Sequence, residues 1–224
     1  KNIVNISSAL PQAYYAAFEE YSLRSPSEAV FFYLQKGGVK LTVLREKAKL
    51  MNSDDLNRVI KRIAHEMVEQ NKGTENMILV GIHRRGVYLA RRLQKIIEEV
   101  EGTKVPCGEL DITLYRDDLT MLFEQPMVHS TRMPQDISGK NIFLVDDVLY
   151  TGRTVRAALE ALVDLGRPSS VKLAVIIDRG HRELPIHADM CGKNVPTSKN
   201  EVIEVRVTEL DEKDEVVICE RDAQ

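Results

Sequence analysis

The sequence predicts an α/β fold in which a mainly parallel sheet is covered by helices on both faces. Three short apolar runs, at 77–82, 142–145 and 171–177, have the length and residue types of buried strands. Amphipathic helical patterns lie between them, so that strands and helices alternate along the chain. Such crossover helices are what parallel strands need. The 224 residues are enough for one domain with a sizeable core, or for one domain and a small appendage.

The first 43 residues differ in composition from the rest of the chain, since they hold most of the aromatic side chains and few charged ones. Ser25-Pro26-Ser27 is typical of a helix start and Gly37-Gly38 of a helix end, so we expect two short helices here. We interpret residues 1–43 as an N-terminal appendage of unknown role, or as an artefact of the gene model. Residues 44–224 then form the main domain.

The main domain begins with a helix whose start is marked by Ser53, Asp54 and Asp55. A serine cap and acidic residues both stabilise a helix N-terminus, and apolar residues recur at helical spacing across 56–68. The next elements are a helix with the apolar residues between 89 and 100 on one face, and a strand at 112–115. A helix at about 151–165, ended by Gly166, follows, and strands at 202–207 and 215–218 could pair.

The stretch 142–154 joins a buried strand, two adjacent carboxylates and a turn that opens a helix. The turn 151–154 offers backbone N–H groups, two hydroxyls and the positive end of a helix dipole, which together suit a phosphate. Gly152 lets the backbone approach that phosphate closely. Asp146 and Asp147 could accept hydrogen bonds from two adjacent sugar hydroxyls. An ordinary strand-turn-helix with capping acids is the alternative, but capping requires neither both acids nor this turn.

This thirteen-residue stretch resembles the signature with which type I phosphoribosyltransferases bind phosphoribosyl pyrophosphate (PRPP). The resemblance implies a type I phosphoribosyltransferase fold with a small hood region, and Mg²⁺ as the cofactor that accompanies PRPP. Asp146 and Asp147 are implied as catalytic residues that could also contact the Mg²⁺. The residues implied to bind PRPP and its phosphate are Val145, Asp146, Asp147, Val148, Leu149, Tyr150, Thr151, Gly152, Arg153 and Thr154.

A second loop, at 81–86, also follows a buried strand and precedes a helix. Its two arginines and its backbone N–H groups suit a pyrophosphate, although an Arg-Arg-Gly turn alone is more typical of a solvated corner. The pyrophosphate loop of the family falls here, which implies Arg84, Arg85 and Gly86 as its binding residues. His83-Arg84 departs from the Lys-Thr pair that is common in the family.

Two further segments receive roles from the resemblance. The stretch 111–118 is followed by residues with little periodicity up to about Pro134, which is typical of a lid, a disordered loop or a hairpin. The family implies a loop that closes over PRPP and excludes water, with Arg116 as a catalytic residue. Beyond the third buried strand, the family implies that Asp178, Arg179 and Gly180 bind the nucleobase, largely through backbone groups.

From Leu44 to about Glu220 the sequence resembles the bifunctional uracil phosphoribosyltransferases that also attenuate pyrimidine operons. The resemblance implies that uracil and PRPP give UMP and pyrophosphate, that the UMP-loaded protein binds a stem-loop in leader mRNA, and that the chain forms a homodimer or tetramer. A regulator that binds RNA with little catalysis, and a purine phosphoribosyltransferase, stay open as alternatives. The stretches that carry the resemblance are 62–67, 111–118, 142–154, 166–170 and 178–185.

Four basic residues recur at helical spacing on one face of the first predicted helix of the main domain. They are Arg58, Lys61, Arg62 and His65. Such a basic stripe can follow an RNA backbone, whereas the glutamates nearby favour an ordinary solvated face. The helix belongs to the RNA-binding face of the family, which favours RNA binding. Gln70 stands where some family members have a basic residue, and His187 replaces an expected arginine, so each lost cation lowers the expected affinity.

The overall composition limits the remaining function classes. The net charge of −3 gives no global attraction to nucleic acid, so any phosphate or RNA site must be a local patch. The three cysteines are far apart and include no CxxC pair, so the sequence indicates neither a disulfide framework nor a zinc site. No apolar run reaches about 18 residues, and we expect a cytoplasmic protein without a membrane partner.

Overall fold

The computed structural model describes residues 29–35, 38–115 and 131–221, with side chains from Leu44 onward within these ranges. Its strands are β1 (Ala29–Gln35), β2 (Gly38–Met51), β3 (Met77–Ile82), β4 (Cys107–Leu110), β5 (Asn141–Leu149), β6 (Ser170–Asp178), β7 (Met190–Asn194), β8 (Glu201–Arg206) and β9 (Glu215–Arg221). The helices in this part of the chain are α1 (Ser53–Asn71), α2 (Arg85–Glu101), α3 (Arg153–Leu165) and α4 (Thr208–Asp211), with a 3-10 turn at Thr113–Tyr115. Among these helices, none is both long and apolar enough for a membrane span.

A five-stranded sheet with the order β4-β3-β5-β6-β7 has parallel pairing between all its neighbours. The side chains of β3 and β5 alternate between two buried clusters. Leu79 and Phe143 pack in the cluster of α1 and α2, whereas Ile78 and Leu144 pack in the cluster of α3. This arrangement confirms the predicted α/β fold, because the parallel sheet carries helices on both faces.

A second sheet is antiparallel and has the order β1-β2-β9-β8. β9 pairs with both β2 and β8, so strands from the start and the end of the described chain lie side by side. Ile203 and Val216 of this sheet belong to the same buried cluster as α1 and α2. With the short α4, the sheet forms the smaller region that corresponds to the expected hood.

The expectation of two short helices in residues 1–43 is wrong for the part that the structure describes. β1 pairs antiparallel with β2, and β2 runs unbroken past residue 43 into the main domain. Aromatic and β-branched residues at 30–33 favour a pleated strand. Residues 1–28, 36 and 37 lie outside the described part of the chain, so the appendage stays a prediction.

Two further expectations need correction. The N-cap of α1 is Asn52 and not Ser53, because Asn52 Oδ1 accepts from Asp55 N at 2.9 Å and Asp55 Oδ2 accepts from Asn52 N at 3.2 Å. This reciprocal pair is a capping box.

The strand expected at 112–115 is instead a 3-10 turn at Thr113–Tyr115. There the carboxylate of Asp111 accepts from the N–H and the hydroxyl of Thr113, at 2.8 and 2.5 Å, and so competes with strand pairing.

Candidate active site

The carboxyl ends of β3, β5 and β6 lie at one edge of the parallel sheet, where ligands bind in such folds. The segment predicted to bind PRPP lies at this edge. β5 extends further than predicted, because Asp146 and Asp147 belong to the strand, which ends at Leu149. Asp146 is 8% exposed and pairs in register with Val175 of β6. The sheet, and not a loop, therefore positions both acids.

Each of these two carboxylates accepts a hydrogen bond from the backbone N–H that follows it. Asp146 Oδ1 accepts from Asp147 N at 2.9 Å, and Asp147 Oδ1 accepts from Val148 N at 2.8 Å. Such local bonds restrict rotation of the side chains. Two oriented carboxylates can accept from neighbouring hydroxyls of a sugar, and their oxygens are ligands that Mg²⁺ prefers. Among the described residues, no group of three or more His, Cys, Asp or Glu forms a metal cluster.

The β5–α3 turn, residues 150–152, leads from the two acids into the N-terminus of α3. Gly152 is the N-cap of α3 and has a φ of +92°, a conformation that favours glycine. No side chain caps α3, so the first-turn N–H groups of this helix suit an anion. The hydroxyl of Thr151 accepts from Arg153 N at 3.4 Å. The turn thus has the backbone geometry that the sequence predicts for a phosphate site.

Two glycines allow close packing around the β3–α2 loop, residues 83–84, since Gly86 lies against β5 and Gly81 lies against the start of α2. A Cβ at Gly86 would stand 2.4 Å from the carbonyl oxygen of Val145, and one at Gly81 would stand 2.4 Å from the Cα of Val87. Both distances are too short for any side chain. The N-terminus of α2 therefore packs directly on the residue before Asp146, which places the predicted pyrophosphate loop beside the predicted PRPP segment.

The two arginines of the predicted pyrophosphate loop differ in their surroundings. Arg84, which follows a cis peptide bond, is exposed at the N-cap of α2. Arg85 is partly buried and forms a two-bond ion pair with Asp211 of α4, at 2.7 and 3.2 Å. Burial disfavours its charge, but Asp211 and the nearby charge of Asp147 outweigh burial and raise the pKa of Arg85. A cation thus lies close to the predicted catalytic acid.

The predicted nucleobase segment begins the β6–β7 loop, residues 179–189. The carboxylate of Asp178 accepts from Gly180 N at 2.9 Å. The guanidinium of Arg179 lies 4.1 Å above the ring of Tyr150 and donates to the carbonyl oxygen of Glu201 at 2.5 Å. Arg179 is 5% exposed, and burial lowers its pKa. Its side chain therefore joins this loop to β8, and the nucleobase role of Asp178, Arg179 and Gly180 stays a prediction.

A residue that the sequence interpretation missed, Arg182, lies between the β6–β7 loop and the β5–α3 turn. Its guanidinium pairs with Asp178 and donates to the carbonyl oxygen of Tyr150. A second ion pair across the same boundary joins Arg153 to Glu183 at 2.8 Å. Arg182 lies in the stretch 178–185 that carries the family resemblance, but its role was not visible because it joins that stretch to Tyr150, which is distant in the sequence.

Arg116 and the predicted closing loop come just after Asp111 in the sequence, at a gap in the described chain. Arg116 and most of the predicted closing loop fall in residues 116–130, outside the described residues. Just before them, Asp111 is 7% exposed at the carboxyl end of β4. One oxygen of its carboxylate, Oδ2, is buried and has no hydrogen-bond partner among the described residues. The catalytic role of Arg116 stays a prediction.

The four predicted RNA-binding residues are exposed on α1. Arg58 pairs with Asp55 at 2.5 Å, whereas Arg62 donates to the carbonyl oxygens of Cys191 and Gly192 in β7, both at 2.8 Å. Arg62 is therefore anchored at the edge strand of the parallel sheet. Lys61 and His65, four residues apart, complete the basic face.

Gln70, one of the two departures from the family pattern, has a cationic neighbour from another element. The ammonium of Lys172 in β6 donates to Gln70 Oε1 at 3.0 Å. Gln70 also donates to Glu66 at 3.4 Å, and Glu66 pairs with Arg62 at 3.4 Å. A positive charge is thus present near the position where some family members have a basic residue, although Gln70 itself is neutral.

Comparison with known proteins agrees with this geometry. A family model described as phosphoribosyl transferase domain matches residues 50–211. The protein named Bifunctional protein PyrR of Thermus aquaticus is 61% identical over 179 residues, which cover 80% of this chain and 99% of that protein. The Clostridioides difficile protein of the same name is 57% identical over 175 residues, with coverages of 78% and 99%.

Solved structures show the same fold at much lower identity. A hypoxanthine phosphoribosyltransferase of Staphylococcus aureus superposes with a TM-score of 0.59 at 19% identity, covering 77% of this chain and 92% of that one. The enzyme of Trypanosoma cruzi gives a TM-score of 0.61 at 16% identity, with coverages of 79% and 98%. The acid pair at the end of β5, the uncapped N-terminus of α3 and these relatives lead to one conclusion: the chain belongs to the phosphoribosyltransferase family and, within it, to the group of PyrR proteins.

Proposed function

We propose that this chain transfers the phosphoribosyl group of PRPP to uracil, giving UMP and pyrophosphate, and that its UMP-bound form binds leader mRNA of pyrimidine genes and favours termination of transcription. The observation that carries the enzymatic part is the junction of Asp146, Asp147 and the β5–α3 turn with the glycine-packed start of α2. This junction offers sites for a ribose, a phosphate and a pyrophosphate at one edge of one sheet.

In the proposed reaction the residues act by positioning and by charge. Backbone N–H groups of the turn 151–154 hold the 5-phosphate, while Asp146 and Asp147 hold the ribose hydroxyls. As the bond from ribose C1 to the pyrophosphate oxygen breaks, positive charge develops on the ribose, and nearby carboxylates stabilise it. Arg84 and the backbone at Gly86 hold the departing pyrophosphate. Orientation of two bound substrates supplies much of the remaining rate increase.

Mg²⁺ fits this site by the chemistry of the available donors. Hard oxygen ligands from carboxylates suit this ion, and Mg²⁺ commonly binds through substrate phosphates and one or two carboxylates. Asp146 and Asp147 are the residues that would contact it, together with oxygens of PRPP. When bound, the ion neutralises charge on the pyrophosphate that leaves. We further propose that the protein is cytoplasmic and works as a homodimer or tetramer.

Arg85 has two roles to reconcile in this proposal. Two of its guanidinium nitrogens already donate to Asp211, so a pyrophosphate would share or replace that partner. Although burial disfavours its charge, the bond to Asp211 and the nearby charge of Asp147 raise the pKa of Arg85, so it stays positively charged near the ribose site. Arg85 therefore contributes mainly as a fixed positive charge beside the pyrophosphate, whereas Arg84 would meet the pyrophosphate from the exposed N-cap of α2.

The choice of base is tested by comparing nucleotides. We expect UMP to bind more tightly than GMP or IMP in calorimetric titrations, as the proposed transfer to uracil requires. A preference for GMP or IMP would instead support a purine phosphoribosyltransferase. Tight UMP binding without UMP formation from uracil and PRPP would support a regulator with little catalysis.

The basic face of α1 and its neighbour Lys172 support the regulatory part of the proposal. We expect Lys61→Gln and Lys172→Gln each to weaken binding of a pyrimidine leader stem-loop and to lower the salt slope of log K by about 1, because each removes one phosphate contact. Gel shifts across a salt series, with UMP present, measure both quantities.

A matched control for these two variants is Lys104→Gln. Lys104 is exposed and lies next to β4, the edge strand opposite to β7, against which Arg62 of α1 is anchored. Its replacement should leave both affinity and salt slope unchanged. An equal decrease in all three variants would mean that only the net charge matters, and the basic face would lose its assignment.

A further inference from the structure

The β6–β7 loop turns back over the β5–α3 turn, and the two segments are in direct contact. The N–H groups of Glu183 and Leu184 donate to the carbonyl oxygen of Thr151, at 3.0 and 3.2 Å. A Cβ at Gly152 would stand 3.4 Å from the Cβ atoms of both Leu184 and Ile186. The loop that begins with the segment assigned to the base therefore packs on the segment assigned to the phosphate.

Arg182 joins the two segments with all three nitrogens of its guanidinium. Its acceptors lie at the end of β5, at the end of β6 and at both ends of the folded-back loop. They are the carbonyl oxygens of Leu149 (3.4 Å), Tyr150, Gly180 (3.3 Å) and Ile186 (2.9 Å), and the carboxylate of Asp178. The side chain is only 17% exposed, so water screens these bonds little.

An arginine is suited to this position because its planar guanidinium holds several acceptors in fixed directions, whereas a lysine provides only a compact charge. We propose that Arg182 is a positioning residue that sets the distance between the phosphate-binding turn and the base-binding backbone. One nucleotide can then contact both at the same time. This inference rests on the proposed function, which places the 5-phosphate at the β5–α3 turn and the base at Asp178–Gly180.

The test compares two ligands in the variant Arg182→Gln. UMP reaches both segments, whereas ribose 5-phosphate reaches the β5–α3 turn and the two acids of β5 but not the base-binding backbone. We expect the affinity for UMP to fall by about 10- to 100-fold, because a misplacement of about 1 Å has effects of this size. The affinity for ribose 5-phosphate should fall clearly less, because Gly152 stays joined to α3 by the bond from Arg156 N to its carbonyl oxygen at 2.9 Å. Isothermal titration calorimetry with each ligand gives both values, and the binding stoichiometry reports the folded fraction separately.

Two further variants make the result decisive. Arg182→Lys keeps a charge opposite Asp178 but not the planar fork, so it should bind UMP nearly as weakly as the glutamine variant. Arg167→Gln changes an exposed arginine between α3 and β6, at the amino ends of the parallel strands and so at the far side from the site. This variant should bind both ligands normally.

The outcomes that contradict the inference differ from the one that contradicts the proposed function. Unchanged UMP affinity in Arg182→Gln, or equal losses for the two ligands, would overturn the positioning role. Full retention of UMP affinity in Arg182→Lys would mean that charge alone matters, which also contradicts it. Failure of the wild-type protein to bind UMP would instead refute the proposed function itself.

Discussion

Replacing Asp147 by asparagine is expected to lower turnover in UMP formation by about 100- to 1,000-fold, the range seen when one stabilising group at a developing charge is removed. Asparagine has nearly the same shape, and its side-chain oxygen can still accept from Val148 N, as the carboxylate does at 2.8 Å. The strand end should therefore keep its structure while the negative charge near the ribose is lost. Product formation from radiolabelled uracil, PRPP and Mg²⁺ measures the effect.

The control for this experiment is Asp54→Asn, which changes an exposed acid in the first turn of α1. It should retain normal turnover and lose at most about 1 kcal/mol of stability through the helix dipole. Near-normal turnover in Asp147→Asn would contradict the catalytic role. Absence of UMP formation in the wild-type protein would leave the fold in place and direct attention to purine bases and to RNA binding.

Replacing Gly86 by alanine is expected to damage both stability and PRPP binding. The new Cβ would stand 2.4 Å from the carbonyl oxygen of Val145, which is backbone and cannot rotate away. Overpacking of this kind costs about 1–3 kcal/mol, and relief requires α2 to move away from β5. We expect the KM for PRPP to rise by about tenfold or more, because the pyrophosphate and ribose sites would separate. Urea unfolding and initial rates measure the two effects.

Gly139→Ala distinguishes this contact from the general cost of removing a glycine. Gly139 has a φ of +71° and open space around its Cα, so alanine there is strained but clashes with nothing. This variant should lose about 1 kcal/mol of stability with an unchanged KM for PRPP. A normal KM in Gly86→Ala would show that the two loops do not depend on their close packing.

The central sheet could be predicted well because buried parallel strands leave a plain sequence pattern. β3, β5 and β6 read as apolar runs, and β8 and β9 were correctly expected to pair. The edge strands β4 and β7 were missed. Their sequences, CGEL and MCGKN, are short and partly polar, and glycine weakens any strand pattern. Such strands form because a neighbour offers hydrogen bonds, which a local pattern does not show.

In the candidate site, too, contacts between residues close in the sequence could be predicted, and contacts between distant residues could not. The acid pair and the turn after β5 lie together in sequence, so their association could be predicted. The ion pair of Arg85 with Asp211 and the bonds of Arg182 to Leu149 and Tyr150 join residues far apart in the chain. A sequence shows that an arginine is present, but not which acceptor its flexible side chain reaches.

The pairing of β2 with β9 has a consequence for the order of folding. The register places Leu44 opposite Arg221, so this ribbon closes a loop that contains nearly the whole domain. Loop closure of that length costs more entropy than the local crossovers of the parallel sheet. During synthesis β2 leaves the ribosome early and must wait for β9, its last partner. We therefore expect the β-α-β units from β3 to β6 to form first, with the antiparallel ribbon completing the protein only after translation of residue 221.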